Sequence, residues 1–344
     1  MSLRTLGILG LIMAAVLAAL ASPRHHPPAQ PGDVIALQVT IREWAVSKGA
    51  RPHDPAVGPD GALWFTEQMA NKLGRLDPKT GEIKEYLLPD DKNAGPHGLV
   101  ADRDGNIWFT ANFGGYIGKL DPRTGHVDEF KMTSEKADDP HSLMFDGNGI
   151  LWFTVQGGNM VGRLDPKTGK MTLKEVPTES ALPYGIQINS KGVPIFCELG
   201  THKMASIDPK TMTVTEYNLP ESARPRRLAI AADDTVYFTD FKSGHLGILN
   251  TSNGAVKMLP SPGGPESNPY GITLTPDGMV WYSESGVKPN TIIRFDPKTE
   301  TFARVIIPSG GGVVRNMAST PDGRVYIACS GVDKVGVVEA SVSR

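Results

Sequence analysis

Three Pro-His dipeptides place His53, His97 and His141 at nearly equal intervals along the chain. Imidazole titrates near neutral pH, acts as a general acid or base and commonly ligates metals. Such a dipeptide can also be structural, because Pro fixes φ and the ring satisfies neighbouring backbone groups. Three equally spaced histidines favour a functional cluster, so we predict that all three are catalytic.

Acidic residues form a second candidate set, each at the end of a β-rich run: Glu67, Glu198, Asp240 and Glu284. Oxygen ligands that converge on one place suit Mg²⁺ or Ca²⁺. The alternative is that each carboxylate caps its own segment by accepting backbone N–H bonds. Glu67 is the strongest metal candidate, because it follows His53 in the same segment and neighbours His97. Glu284 is a second one.

Other residues replace the histidine further along the chain. Tyr184, Arg226 and Tyr270 follow the corresponding Pro residues, and Arg315 or Asn316 takes the place in a degenerate last copy. A buried arginine requires an anionic partner. For Arg226 that partner is either Asp240 or a carboxylate of a ligand, with Asp240 favoured.

A repeat of about 42–46 residues, present seven times, positions these side chains. Each copy has an apolar run after the Pro, an Asp-Gly or similar turn, a run such as LWFTE, and a segment such as NKLGRLDPKTG. Turns of this kind between β-branched and aromatic runs indicate hairpins. Four strands per copy predict an all-β, seven-bladed β-propeller with four-stranded blades.

The ends of the sequence fit a closed ring. LQVTIREWAVS precedes the first Pro motif like an outer strand, and the last copy stops after its third strand. We therefore predict that the N-terminal strand completes the last blade and removes an exposed sheet edge. In this topology the histidines and the acidic residues lie on one face of the disc. Cys197 and Cys329 fall three blades apart, too far for a disulfide, so we expect free thiols.

The N-terminus has the pattern of a secretory signal: Arg4, an apolar run over 6–21, then Ser22-Pro23. We predict a signal peptide at 1–22, a Pro-rich linker at 23–36 and the propeller at 37–344. Such a protein is periplasmic or secreted, with no membrane span after cleavage, and we expect a monomer. The 35 basic and 37 acidic residues form no long run of one sign, which argues against a nucleic-acid partner.

The tandem xPHG, WFTE and NK-L/I-GR elements over about residues 40–340 resemble the virginiamycin B lyase (streptogramin lyase) family. The resemblance implies Mg²⁺-assisted elimination that opens a cyclic depsipeptide ester without hydrolysis. It also implies a histidine acid/base on adjacent Pro-His blades, with carboxylates holding the metal.

The family's catalytic pair lies on the last two blades, where this chain has Tyr270 and the Arg315-Asn316 pair. In a rotated frame the resemblance assigns the histidine pair to His97 and His141. Asp139 then replaces a metal-binding Glu, and Tyr184 takes the place of a substrate-contacting Tyr. Val155 stands where the family has a second Glu.

Two functions follow from these observations. The first is an exported lyase that opens a cyclic ester or lactone with a divalent metal, Mg²⁺ or Ca²⁺. The second is a non-catalytic periplasmic propeller that binds a peptide or small molecule at the channel mouth. In either case we expect Tyr184, Arg226 and Tyr270 to contact the ligand.

Overall fold

The computed structural model describes residues 30, 32–89 and 93–340, so the predicted signal peptide at 1–22 lies outside the described residues. Two strands precede the first Pro motif, β1 (Val34–Ala36) and β2 (Val39–Ala45). Strand structure then continues to the end of the described chain, and the one helical element within it is a turn of 3-10 helix at Ser330–Val332.

Seven antiparallel sheets follow one another along the chain, which confirms the predicted seven-bladed propeller. Blade one comprises β3 to β6: Pro52–Val57, Leu63–Glu67, Lys72–Leu76 and Ile83–Leu87. Blade two comprises β7 to β10: Pro96–Ala101, Ile107–Ala111, Tyr116–Leu120 and Val127–Lys131. Blade three comprises β11 to β14: Pro140–Phe145, Leu151–Val155, Met160–Leu164 and Met171–Glu175.

The remaining blades repeat this order. Blade four comprises β15 to β18: Pro183–Ile188, Pro194–Glu198, Lys203–Ile207 and Val214–Asn218. Blade five comprises β19 to β22: Pro225–Ile230, Val236–Asp240, His245–Asn250 and Ala255–Pro260. Blade six comprises β23 to β26: Pro269–Leu274, Val280–Glu284, Thr291–Asp296 and Thr301–Ile306. Blade seven comprises β27 to β29: Val314–Ser319, Val325–Cys329 and Lys334–Ala340.

The N-terminal strand β2 completes blade seven, as the sequence predicts. It pairs with β29 in antiparallel register from Val39 opposite Ala340 to Ala45 opposite Lys334. Trp44 packs at the junction of blades seven and one, in the cluster that contains Leu63 and Tyr326. The first strand thereby ties the last blade to the first.

The strand β1 lies inside the segment that the sequence assigns to the linker. It pairs with β26 in parallel register, Val34 opposite Phe302, and makes blade six five-stranded. The outer edge of a blade offers unpaired backbone groups, and Asp33 accepts the Phe302 N–H at 2.8 Å on this edge. A three-residue apolar segment can pair with such an edge without an alternating hydrophobic pattern, which is why the sequence did not predict this strand.

The core lies between neighbouring blades and explains the glycine of the repeat. In blade one Phe65 is the register partner of Gly74, and a Cβ on Gly74 would lie 2.1 Å from the phenyl ring. Phe109 covers Gly118 in the same way. The glycine leaves room for an aromatic ring that packs flat on the neighbouring strand.

Threonine hydroxyls join adjacent blades near the centre of the disc. Thr66 donates to the carbonyl of His97 at 2.8 Å, and Thr110 donates to that of His141 at 2.8 Å. Cys197 takes the threonine position in blade four and Ala328 takes it in blade seven. Cys197 and Cys329 are buried free thiols, as predicted. In the described part of the chain no helix is long and apolar enough to cross a membrane.

Candidate functional site

A β-bulge at the head of each inner strand turns two consecutive side chains toward the central tunnel. In blade one Pro52 pairs with Glu67 and Pro55 with Phe65, so His53 and Asp54 together oppose a single residue. The same register shift occurs in all seven blades. A bulge of this type breaks the alternation of side chains between the two faces of a strand. The tunnel is therefore lined at this end by two layers of side chains.

The first layer, the channel ring, contains the residue after each Pro motif: His53, His97, His141, Tyr184, Arg226, Tyr270 and Arg315. Successive rings contact one another around the tunnel at tilted angles of 46°, 48° and 41°. The centroids are 3.8 Å apart for His53 and His97, 3.8 Å for His97 and His141, and 3.7 Å for His141 and Tyr184. The three histidines and Tyr184 are all buried. The predicted histidine cluster is thus brought together by the fold.

The second layer contains the next residue of each blade and holds an ion pair that spans the tunnel. Arg227 of blade five donates to the two carboxylate oxygens of Asp54 of blade one at 3.0 and 2.9 Å. It also donates to Ser142 Oγ at 3.1 Å. Asn316 Nδ2 donates to Asp54 at 3.1 Å, and His53 Nδ1 lies 2.9 Å from the same carboxylate. Asp54 therefore has three polar side-chain neighbours, one each from blades one, five and seven.

Burial sets the protonation of this cluster. It lowers the pKa of His53 to about 4, although the Asp54 hydrogen bond opposes the shift. Burial and neighbouring positive groups hold the pKa values of His97 and His141 well below the usual range. Burial alone would raise the pKa of Asp54, but the Arg227 charge and the His53 hydrogen bond lower it well below its usual value. At neutral pH the cluster holds three neutral imidazoles, one carboxylate and one guanidinium.

Beyond the ion pair, the tunnel widens toward the face of the Asp-Gly turns. This cavity has a volume of about 430 Å³ and is lined mainly by inner-strand residues such as Val57, Met144 and Leu274. Asp54 and Arg227 lie at its inner end. The ion pair thus separates the cavity from the channel ring.

Arg226 does not form the favoured ion pair with Asp240. Asp240 accepts the backbone N–H of Arg224 at 2.9 Å and a hydrogen bond from the Ser243 hydroxyl. The Arg226 guanidinium instead packs over Phe241 at 3.8 Å and Tyr270 at 4.3 Å. Aromatic faces attract a guanidinium without neutralising its charge. Asp240 thus caps its own blade, and Arg226 has no ion-pair partner among the described residues.

The three predicted metal-ligand carboxylates lie apart from the histidines. Glu284 accepts bonds from Ser261 Oγ at 2.6 Å, Thr291 Oγ1 at 2.7 Å and the Gly263 backbone, so it caps its own blade. Asp139 accepts a hydrogen bond from Asn112, and burial raises its pKa to about 6.

Glu67 is completely buried, and no hydrogen-bond donor in the described part of the chain reaches either of its carboxylate oxygens. Burial and the charge of Glu85 raise its pKa to about 7. Among the described residues, the one group of three metal-ligand side chains within 4.8 Å of one another is His53, Asp54 and His97. Glu67, like Asp139 and Glu284, is not part of it.

The cluster of His53, Asp54 and His97 does not fit Mg²⁺ or Ca²⁺. Both ions take six or more ligands, mostly oxygen, whereas this cluster offers two imidazoles and one carboxylate. Both oxygens of that carboxylate already accept bonds from Arg227. A divalent cation would have to replace this guanidinium or lie beside it, which the repulsion between like charges disfavours.

Sequence reasoning missed Asp54 and Arg227 as a pair, because strand alternation turns the residue after the histidine position away from the tunnel. The sequence signal that could have revealed this pair is a position that is glycine in three of the blades and charged in others. The same position is Gly98, Gly185 and Gly271 in blades two, four and six. A Cβ on Gly98 would lie 2.7 Å from the His141 carbonyl oxygen. Where this crowded position carries Asp or Arg, a specific contact is indicated.

The profile of the virginiamycin B lyase family matches residues 34–260 and 195–343. The chain belongs to this family. Its predicted resemblance is therefore confirmed at the level of the family. A search of curated proteins found no match.

Solved structures of family enzymes are similar over nearly their whole length. A streptogramin B lyase structure shares 25% identity, with a TM-score of 0.80 over 88% of this chain and 98% of that chain. Virginiamycin B lyase from Staphylococcus aureus shares 24% identity, with a TM-score of 0.79 over 88% and 99%. Hydrazine synthase of Kuenenia stuttgartiensis, at 16% identity and a TM-score of 0.72 over 86% and 97%, shares the fold alone.

Proposed function

We propose that this chain is an exported, non-catalytic member of the virginiamycin B lyase family that binds a small molecule or peptide on the face carrying the channel ring. The observation that carries the proposal is the buried bidentate pair of Arg227 with Asp54. A carboxylate held this way is already neutralised and hydrogen-bonded, so it has no free lone pair directed at a metal or a proton of a substrate. Asp54 lies 2.9 Å from His53 Nδ1 but also accepts hydrogen bonds from Arg227 and Asn316, so its negative charge does not act on the histidine alone.

The protonation state of the three histidines supports a binding function over a catalytic one. A general acid or base works best when its pKa lies near the operating pH, whereas burial lowers the pKa of His53 to about 4 and those of His97 and His141 well below the usual range. The tilted rings, with centroids 3.7–3.8 Å apart, form a continuous buried floor. We assign them a structural role beneath the ligand.

The rim of this face has the mixture of groups that ligand sites use. Met69 and Phe113, in the loops after the second strands of blades one and two, are 54% and 53% exposed. Arg226 and Arg315 of the channel ring are partly exposed. A few oriented polar groups beside apolar surface are typical of small-molecule sites.

Export is part of the proposal and is supported by the apolar run over 6–21. Localisation to the periplasm or outside the cell is tested by fractionation of cells that express the full chain. Mature protein that starts after residue 22 is the expected product, and accumulation of the uncleaved chain in the cytoplasm would contradict it.

A second candidate is the elimination reaction named by the family. Family membership favours it, as does the proximity of two imidazoles and one carboxylate within 4.8 Å. In that candidate His97 or His141 acts as the acid/base, Tyr184 and Tyr270 contact the substrate, and a divalent metal is bound by Glu67, Asp139 or Glu284. Each of these roles is a prediction from the sequence.

The two candidates are distinguished by incubating the purified protein with quinupristin, the ligand of a related inactive lyase variant. Ring opening by elimination leaves the mass unchanged, so the linear isomer is separated by chromatography, with and without added Mg²⁺. We expect binding or no interaction, and no isomer above the rate without protein. Mg²⁺-dependent turnover that is lost in His97→Ala, with melting temperature preserved, would overturn the proposal.

A further inference from the structure

Arg226 has no anionic partner among the described residues, although it lies at the centre of the proposed binding face. Its Nε is buried without an acceptor, and its terminal nitrogens make no hydrogen bond to the described chain. Its guanidinium is fixed between aromatic rings, 3.8 Å from the Phe241 centroid and 4.3 Å from that of Tyr270. Stacking orients the plane of the guanidinium and leaves its terminal N–H groups free to bind an anion.

Arg315 is the second arginine of the channel ring, and Tyr270 of blade six lies between the two in ring order. Within the described residues, the one hydrogen bond of its side chain joins Nε to the Ser330 hydroxyl at 3.4 Å. No carboxylate lies within ion-pair distance of it in the described ranges. The positive charge of Arg315 contributes to the lowered pKa values of His53 and His97, and that of Arg226 contributes to the lowered pKa of His141. Both guanidinium groups therefore lie near the histidine cluster.

The charge around the channel ring is unbalanced. Three guanidinium groups, of Arg226, Arg227 and Arg315, surround one carboxylate, Asp54, which Arg227 neutralises. In the described part of the chain, the acidic residues that end the second strands form no ion pair with Arg226 or Arg315. Asp240 and Glu284 are bonded within their own blades, and burial raises the pKa values of Glu67 and Glu198 to about 7.

We propose that Arg226 and Arg315 form a carboxylate-binding site, and that the ligand of this face is an organic acid or the free carboxylate of a peptide. The inference rests on the proposed binding function and names the chemistry of its ligand. Planar guanidinium groups bind carboxylates through paired N–H···O bonds. Tyr184, Tyr270 and Phe241 supply flat surfaces next to the charge, which suit an acid with an aromatic or other planar body.

The test uses matched probes that differ only in charge: benzoate against benzamide, and N-acetyl-Gly-Phe as the free acid against its amide. Affinity is measured by calorimetry. Binding at the assigned place is followed by the NMR signal of the Arg226 Nε–H group, which is buried and therefore protected from exchange. We expect each acid to bind and to shift this signal, and each neutral partner to bind at least about tenfold more weakly.

Arg226→Gln and Arg315→Gln should each weaken binding of the acids by about tenfold, and Arg226→Lys should retain part of it. Arg123→Gln is the matched control, since Arg123 pairs with Asp121 in an exposed turn on the opposite face. Binding of the peptide acid alone would assign a peptide carboxylate, and binding of benzoate would assign a small organic acid.

Equal affinity for acid and amide would overturn the inference and leave the binding function intact. Acid binding that survives in the double arginine variant would overturn it too, because the anion would then lie elsewhere. Failure of all four probes to bind would also reject a carboxylate site, whereas the proposed non-catalytic function is overturned only by turnover of quinupristin.

Discussion

Arg227 and Asp54 are the pair of residues on which the centre of the molecule depends. Both are buried, so removal of one partner leaves an uncompensated charge. Arg227→Met should lower the free energy of unfolding by about 3–5 kcal/mol, measured by urea denaturation at neutral pH. Arg324→Met, which removes an arginine paired with Asp322 near the surface, is the control and should change stability little.

The double variant Asp54→Asn with Arg227→Met, compared with the two single variants, forms a double-mutant cycle for this ion pair. Removing both charges removes the penalty of a lone buried ion, so the double variant should be more stable than Arg227→Met alone. Strictly additive losses would show that the two side chains do not interact, and the description of the second layer would be wrong.

Glu67 is a buried carboxylate, and its effect on the free energy of unfolding depends on pH. Burial and the Glu85 charge raise its pKa to about 7, from an ordinary value of ~4.3. The folded state therefore holds this proton more tightly than the unfolded chain does. The stability contributed by the group is full below about pH 4 and is lost as the pH rises through about 7.

Glu67→Gln imitates the protonated state at every pH. It should raise the free energy of unfolding by roughly 1–3 kcal/mol at about pH 8 and much less at about pH 5. Glu284→Gln, whose carboxylate accepts three hydrogen bonds, should bring no such gain. A stability of Glu67→Gln at or below the parent at high pH would indicate a bound cation or another unseen partner for Glu67.

At the scale of the elements, the β-bulge decides what the sequence could and could not reveal. The strands were predictable because aromatic and β-branched runs alternate with Asp-Gly or similar turns along the repeat. The gathering of His53, His97 and His141 on one face was predictable because the Pro motif sets the start of each inner strand. The pairing of Asp54 with Arg227 was not, because one extra residue per strand changes which side chains face the tunnel.

Closure of the ring by the strand β2 is tested by truncating the N-terminus. Truncation before residue 39 removes β1 and keeps ring closure, so the melting temperature should fall by only a few degrees. Truncation before residue 48 removes all seven β2–β29 pairs and uncovers the edge of blade seven. We expect aggregation or a loss of several kcal/mol, measured by size-exclusion chromatography and thermal melting. Equal stability of the two truncated proteins would refute closure by β2.

At the scale of the whole molecule, seven copies of one unit fix the architecture but not the activity. The repeat determines blade number, strand order and the face on which polar residues gather. Function depends on the few positions where copies differ, such as Val155 in place of a glutamate and Arg226 in place of a histidine. The same propeller can therefore hold a lyase site or a binding site.

The proposed function requires the histidines of the channel ring to be neutral, buried groups and not acid/base catalysts. The most direct test is an NMR titration of protein labelled with ¹³C-histidine, with signals assigned by single His→Asn variants. The structure predicts that His53, His97 and His141 gain no proton between about pH 8 and pH 5, since burial lowers the pKa of His53 to about 4 and the others well below the usual range. A titration midpoint near pH 6–7 for any one of the three would contradict the account and restore that residue as a catalytic candidate.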